Sequence, residues 1–119
     1  EHWQAGAMTR NLPWLTELVP DMFCEISPKL AKSKGIKTGD RVSIYNNRGT
    51  VSAYALVTER VQPMKVQGKE VEMIGMIWHF GQGCAASGDA CNMLTPSIGD
   101  ANTMIPEFKA FLVNIRKEA

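Results

Sequence analysis

Residues 35–61 read GIKTGDRVSIYNNRGTVSAYALVTERV, and this stretch decides the fold class. Ile36 is an apolar anchor, and Thr38-Gly39-Asp40 makes a turn. From Arg41 to Tyr45 polar and apolar residues alternate, the pattern of a strand with one buried face. Asn46-Asn47-Arg48-Gly49 is a cluster of turn formers, with Gly49 supplying the backbone freedom a tight connection needs. Alternation resumes from Thr50 to Glu59, where Val51, Ala53, Ala55 and Val57 share one side. Two strands joined by a short turn form a β-hairpin.

Working outward, Pro13 to Val19 carries apolar residues at helical spacing between two prolines, and predicts a short helix stopped by Pro20. Met22 to Ile26 predicts a brief strand. Ser27 is a helix cap, Pro28 suits the first helical position, and Gly35 ends that helix. Beyond the hairpin, strands Met64–Val66 and Val71–Ile77 flank a turn at Gln67-Gly68-Lys69. A last strand is predicted over Ala110–Ile115, with Phe111, Val113 and Ile115 on one side. Between Trp78 and Phe108 small and polar residues dominate. Irregular segments longer than about 12–15 residues are usually functional or disordered. Met93, Leu94, Ile98 and Ile105 punctuate this one with apolar side chains, so we read it as a lining. Many short strands and few helices predict a mainly β domain, a barrel or a sandwich.

The 119 residues suit one domain. A net charge of +1 argues against a nucleic-acid binder. The longest apolar run, Met73–Trp78, is strand-sized, so no direct membrane insertion is expected. No signal peptide is read at the N-terminus. Cys24, Cys84 and Cys91 form no C-x-x-C, and His2 and His79 are the two histidines, a poor ligand set for a metal. Free thiols are expected, with a Cys84–Cys91 disulfide left open. No nucleophile–base pair and no phosphate loop is present. The two irregular segments are nonetheless rich in hydrogen-bonding side chains. Thr9, Arg10, Asn92 and Lys109 suit phosphates or a base edge, set against ordinary roles as solvated charges or loop caps.

Three stretches carry a resemblance. EHWQAGAMTR (1–10) resembles the motif that opens the last domain of the molybdopterin oxidoreductases. GIKTGDRVSIYNNRG (35–49) resembles that domain's barrel segment, and GDANTMIPEFKAFLVNI (99–115) its closing segment. Together with GKEVEMIGMIWHFG (68–81) and LTPSIGDANTMIPEFK (94–109), the chain looks most like the catalytic subunit of respiratory formate dehydrogenases.

The resemblance implies a six-stranded double-psi β-barrel with short helices, spanning residues 1–119 as an excised fragment of a larger chain. It implies a domain that is not itself catalytic and binds no metal. Its role would be to cap a bis-molybdopterin guanine dinucleotide carrying molybdenum or tungsten. Contacts are implied from His2, Gly6, Met8, Thr9 and Arg10, from His79 and Phe80, from Asn92, and from Phe108 and Lys109. Gln4 and Ala5 replace a His and a Thr of the common opening motif. Formate oxidation, the cysteine or selenocysteine metal ligand and a 4Fe-4S cluster would belong to upstream domains of the same chain. An iron–sulfur electron-transfer subunit would be the partner. Anaerobic respiration in the periplasm is implied, with the cytoplasm as the alternative location. Two other readings remain: the same domain of a nitrate, polysulfide or arsenate reductase, and a free-standing double-psi barrel acting as a binding module.

Overall fold

The hairpin of residues 41–57 is the centre of the computed structural model, which describes residues 8–81, 83 and 85–119. Strand β2 (Arg41–Tyr45) pairs antiparallel with β3 (Thr50–Val57), Tyr45 opposite Thr50. Val51, Ala53 and Ala55 of β3 and Val42 and Ile44 of β2 are buried, as the alternation requires. The turn closes through Asn46, whose N–H donates to the Gly49 carbonyl at 3.0 Å. The Asn46 side-chain oxygen accepts from the N–H groups of Arg48 and Gly49.

Three strands extend the hairpin. β1 (Phe23–Ile26) lies parallel to β3, Phe23 opposite Tyr54. A parallel neighbour needs a crossover, which here runs through α2 (Pro28–Lys34) and β2, while α1 (Pro13–Leu18) precedes β1. The Ser27 hydroxyl caps α2 by accepting from Leu30 N–H at 3.0 Å. Gly35, at φ +66°, ends it in the left-handed region, and Ile36 N–H returns to the Ala31 carbonyl. The resulting mixed sheet runs β6 (Ile74–Met76), β1, β3, β2, β7 (Asn114–Lys117) and curls into a half-barrel. β4 (Met64–Val66) and β5 (Lys69–Val71) form a separate two-stranded ribbon, with positive φ at both Gln67 and Gly68. The domain is mainly β with short helices, as expected.

Two strand boundaries differ from expectation. The run predicted as one strand over Val71–Ile77 is split: β5 ends at Val71, and β6 (Ile74–Met76) joins the edge of the main sheet beside β1. Between them Glu72 turns toward α2, where its carboxylate accepts from the Ser27 hydroxyl at 2.7 Å. The last strand, β7 (Asn114–Lys117), begins later than Ala110 and runs beyond Ile115. Residues 110–113 belong to no strand; Phe111 and Val113 pack against the core.

The core holds Cys24, Ile26, Val42, Ile44, Val51, Leu94 and Ile115, all fully buried. Burial pushes the Cys24 thiol up to about 12, and it and Cys91 are free thiols. Cys84 lies outside the described residues, and Cys91, the partner considered for it, is a free thiol. The irregular segment after Trp78 contributes Phe80, Ala86, Cys91 and Leu94 to this core. Ser87 ties it to the sheet, donating to the Pro20 carbonyl and accepting from Met22 N–H. At Gly88 a Cβ would stand 2.7 Å from Met22 Cβ and 2.8 Å from Phe80 Cδ1. Gly88→Ala is therefore expected to lower stability by about 1–3 kcal/mol through overpacking, measured as a fall in thermal midpoint; an unchanged midpoint would show that the neighbours yield freely.

Candidate functional site

Thr9–Asn11 form a single 3₁₀ turn just ahead of α1. From it the half-buried Arg10 reaches the far irregular segment, its Nη1 donating to the His79 carbonyl at 3.3 Å. Arg10 Nε is buried and finds no hydrogen-bond partner among the described residues. A guanidinium has five donors and no acceptor. Leaving one of them buried and unpaired costs about 1–3 kcal/mol. The site is therefore short of an acceptor. The neighbouring Asn11 side chain accepts from Ala85 N–H at 3.3 Å, a second tie between the opening segment and the long irregular one.

His79 is half-buried beside Trp78, ring centroids 4.6 Å apart. Burial, and then nearby positive charge including that of Arg10, hold its pKa below the ordinary histidine value. A neutral imidazole offers one donor and one acceptor. Trp78, His79 and Phe80 also line a cavity of about 480 Å³ on the outer face of β1, β3 and β6. Its walls are mostly apolar, Phe23, Leu56 and Met76 among them, and it holds one ion pair, Arg60 Nε to Glu25 Oε1 at 3.5 Å. Phe80 borders it from the core, only 2% exposed.

The remaining candidates stand elsewhere. Asn92 is exposed on a second 3₁₀ turn, Cys91–Met93, pinned by the buried Cys91 and Leu94. Thr95 N–H and hydroxyl both donate to the Asn92 carbonyl, at 3.3 and 2.9 Å. This turn lies against the β2–β3 connection, where a Cβ on Gly49 would sit 2.9 Å from the Met93 carbonyl oxygen. Phe108 and Lys109 are exposed on the irregular approach to β7. Met8 is also exposed. His2 and Gly6 lie outside the described residues. The structure thus joins Arg10 with the His79 backbone and sets the Asn92 turn against the hairpin turn, while Phe108 and Lys109 lie further along the same irregular segment.

Sequence reading missed two residues of this arrangement. Asn46 Nδ2 donates to the carbonyls of Leu94 at 2.8 Å and Leu112 at 3.3 Å, and Arg48 Nε donates to the same Leu94 carbonyl at 2.9 Å. The sequence signal was an Asn in a turn, which its own backbone bonds already explain. Among the described residues no three His, Cys, Asp or Glu side chains are placed to hold a metal ion, and no helix is long and apolar enough to cross a membrane.

A family model, the molydopterin dinucleotide binding domain, matches residues 1–112. A formate dehydrogenase subunit alpha from Megalodesulfovibrio gigas is 53% identical over 118 residues, covering 98% of this chain and 12% of the relative. Formate dehydrogenase 2 subunit alpha (cytochrome c-553) from Nitratidesulfovibrio vulgaris is 48% identical over 98% of this chain and 12% of its own length. The nitrate-inducible formate dehydrogenase major subunit of Escherichia coli is 50% identical over 82% of this chain and 10% of its own length. The chain therefore spans about one-eighth of the first two relatives and a tenth of the third.

Proposed function

Since the chain belongs to the molybdopterin dinucleotide-binding domain family, we propose that it caps the cofactor of a formate dehydrogenase catalytic subunit. The observation that carries this reading is the orphaned Arg10 Nε. A buried cationic donor fits a phosphate or another electron-rich atom of a dinucleotide, and charge-assisted bonds of this kind are short and strong. The donor sets suit the group as well. Arg10 and Lys109 offer positive charge, Asn92 and His79 offer paired donor and acceptor atoms, and Phe108 offers an exposed ring. His2, Gly6, Met8 and Thr9 complete the set in this reading, with the backbone at Phe80.

When bound, the bis-pterin guanine dinucleotide supplies a molybdenum or tungsten centre for the two-electron oxidation of formate to carbon dioxide. The work of this chain's own residues is to bind, orient and exclude water. Arg10, fixed by the His79 carbonyl, presents Nε in one direction. Neutral His79 hydrogen-bonds without adding charge. Trp78 and the apolar cavity wall offer a largely apolar surface on this side. In this reading the curled sheet closes into a six-stranded double-psi barrel, and the reacting metal and a 4Fe-4S cluster are held by upstream domains. Electrons leave through an iron–sulfur subunit, and the enzyme works in the periplasm.

Lys109→Ala in the full-length chain tests the proposal. Cofactor content and formate oxidation should fall together, measured as metal and released guanine nucleotide per chain and as turnover. Normal loading with normal turnover would overturn it. Turnover with nitrate in place of formate would keep the domain's role and change the enzyme.

A further inference from the structure

The segment from Leu94 to Leu112 is an arm with two closures. Its outer part folds on itself. Gly99 and Pro106 form an antiparallel bridge, Asp100 N–H donates to the Ile105 carbonyl at 3.0 Å, and Glu107 N–H donates to the Ile98 carbonyl at 3.1 Å. The Asp100 carboxylate accepts from the N–H groups of Asn102 and Thr103 and from the Thr103 hydroxyl, at 2.9–3.0 Å. All of residues 101–110 are exposed, so core packing does not hold the middle of the arm. Its position must be set at its ends.

Both ends meet one side chain. The Asn46 amide has two N–H donors, and it spends one on the Leu94 carbonyl and one on the Leu112 carbonyl. Arg48 doubles the first of these bonds. The same Asn46 uses its oxygen to form the hairpin turn, so its amide is oriented from both sides. The close approach at Gly49 sets the Met93 backbone directly on this turn. The β2–β3 hairpin is therefore bonded to the arm at both its beginning and its end.

We propose that Asn46 and Arg48 are positioning residues for the dinucleotide. They touch no cofactor themselves. By closing the base of the arm they set the separation between Asn92, two residues before Leu94, and Phe108 and Lys109, a few residues before Leu112. This inference rests on the cofactor-capping reading and adds to it the device that places the two contacts.

The test is Asn46→Asp in the full-length holoenzyme. This variant keeps the oxygen that shapes the turn and turns the amide donor into a carboxylate facing two carbonyl oxygens. Asn47→Asp puts the same charge on the neighbouring exposed residue and serves as the control. Two readouts are needed: tryptic cleavage after Lys109 in the cofactor-loaded fraction, and guanine nucleotide released per chain. In Asn46→Asp, cleavage should be about tenfold faster, which corresponds to about 1.4 kcal/mol of lost bonding, and nucleotide content should drop, both relative to Asn47→Asp. Cleavage matching the control would overturn the clamp. Faster cleavage with full nucleotide content would overturn the positioning role. If Asn46→Asp does not fold, Arg48→Ala removes only the doubled bond and should show the same two changes at smaller size, and absence of both would overturn the inference. A Lys109→Ala variant with full nucleotide content would instead bring down the cofactor reading beneath it.

Discussion

Leu94→Ala should lower the stability of this domain by about 2–5 kcal/mol, the range for emptying a fully buried leucine site. Nothing in the chain around Leu94 suggests such a cost. It follows a 3₁₀ turn and precedes an exposed arm, yet its side chain is 0% exposed and packs with Val51, Ile44 and Ile115 in one core cluster. The site cannot collapse easily, because Asn46 and Arg48 hold the Leu94 carbonyl in place. The cavity left by the substitution therefore stays open, which puts the expected loss toward the upper half of that range. Denaturant unfolding followed by tryptophan fluorescence measures it. A loss under about 1 kcal/mol, the scale of an ordinary surface substitution, would mean that Leu94 is not a core residue.

Arg10→Ala should separate binding from folding. Cofactor affinity should fall about 10–100-fold, corresponding to the 1.5–3 kcal/mol of a hydrogen bond to a charged group. Stability of the cofactor-free domain should stay within about 1 kcal/mol, because the lost bond to the His79 carbonyl is offset by removal of a buried unpaired donor. Nucleotide content and the thermal midpoint of the cofactor-free form together decide the matter. Full content would remove Arg10 from the site. A midpoint lowered by many degrees would make Arg10 a structural residue whose loss affects the cofactor only indirectly.

The parts of the fold that were legible are those decided locally. The hairpin follows from two alternating runs and four turn formers, and α2 from Ser27, Pro28 and Gly35, each acting within a few residues. The split of Val71–Ile77 was not legible, because an unbroken β pattern hides a change of partner: Val71 pairs with Met64, whereas Ile74 pairs with Ile26. The late start of β7 has the same origin, since residues 110–113 look like strand but have the Leu112 carbonyl bonded to a side chain instead of a ladder. At the site, Arg10 was a candidate from its charge and His79 from resemblance, and the geometry explains why composition alone could not pair them: their bond spans 69 positions. Asn46 reads as a turn residue and is one; its second role depends on carbonyls 48 and 66 positions away.

The order of the strands also sets a clock on synthesis. β2 sits between β3 and β7 in the sheet, but its partner β7 is made roughly 70 residues later. At about 5–20 residues per second, the outer edge of β2 leaves the ribosome about 4–14 s before the strand that covers it. During that time the ladder groups of Val42 to Tyr45 are an open edge of the kind that recruits other strands. Slowing translation across residues 46–113 lengthens this vulnerable period without altering a single contact of the finished domain.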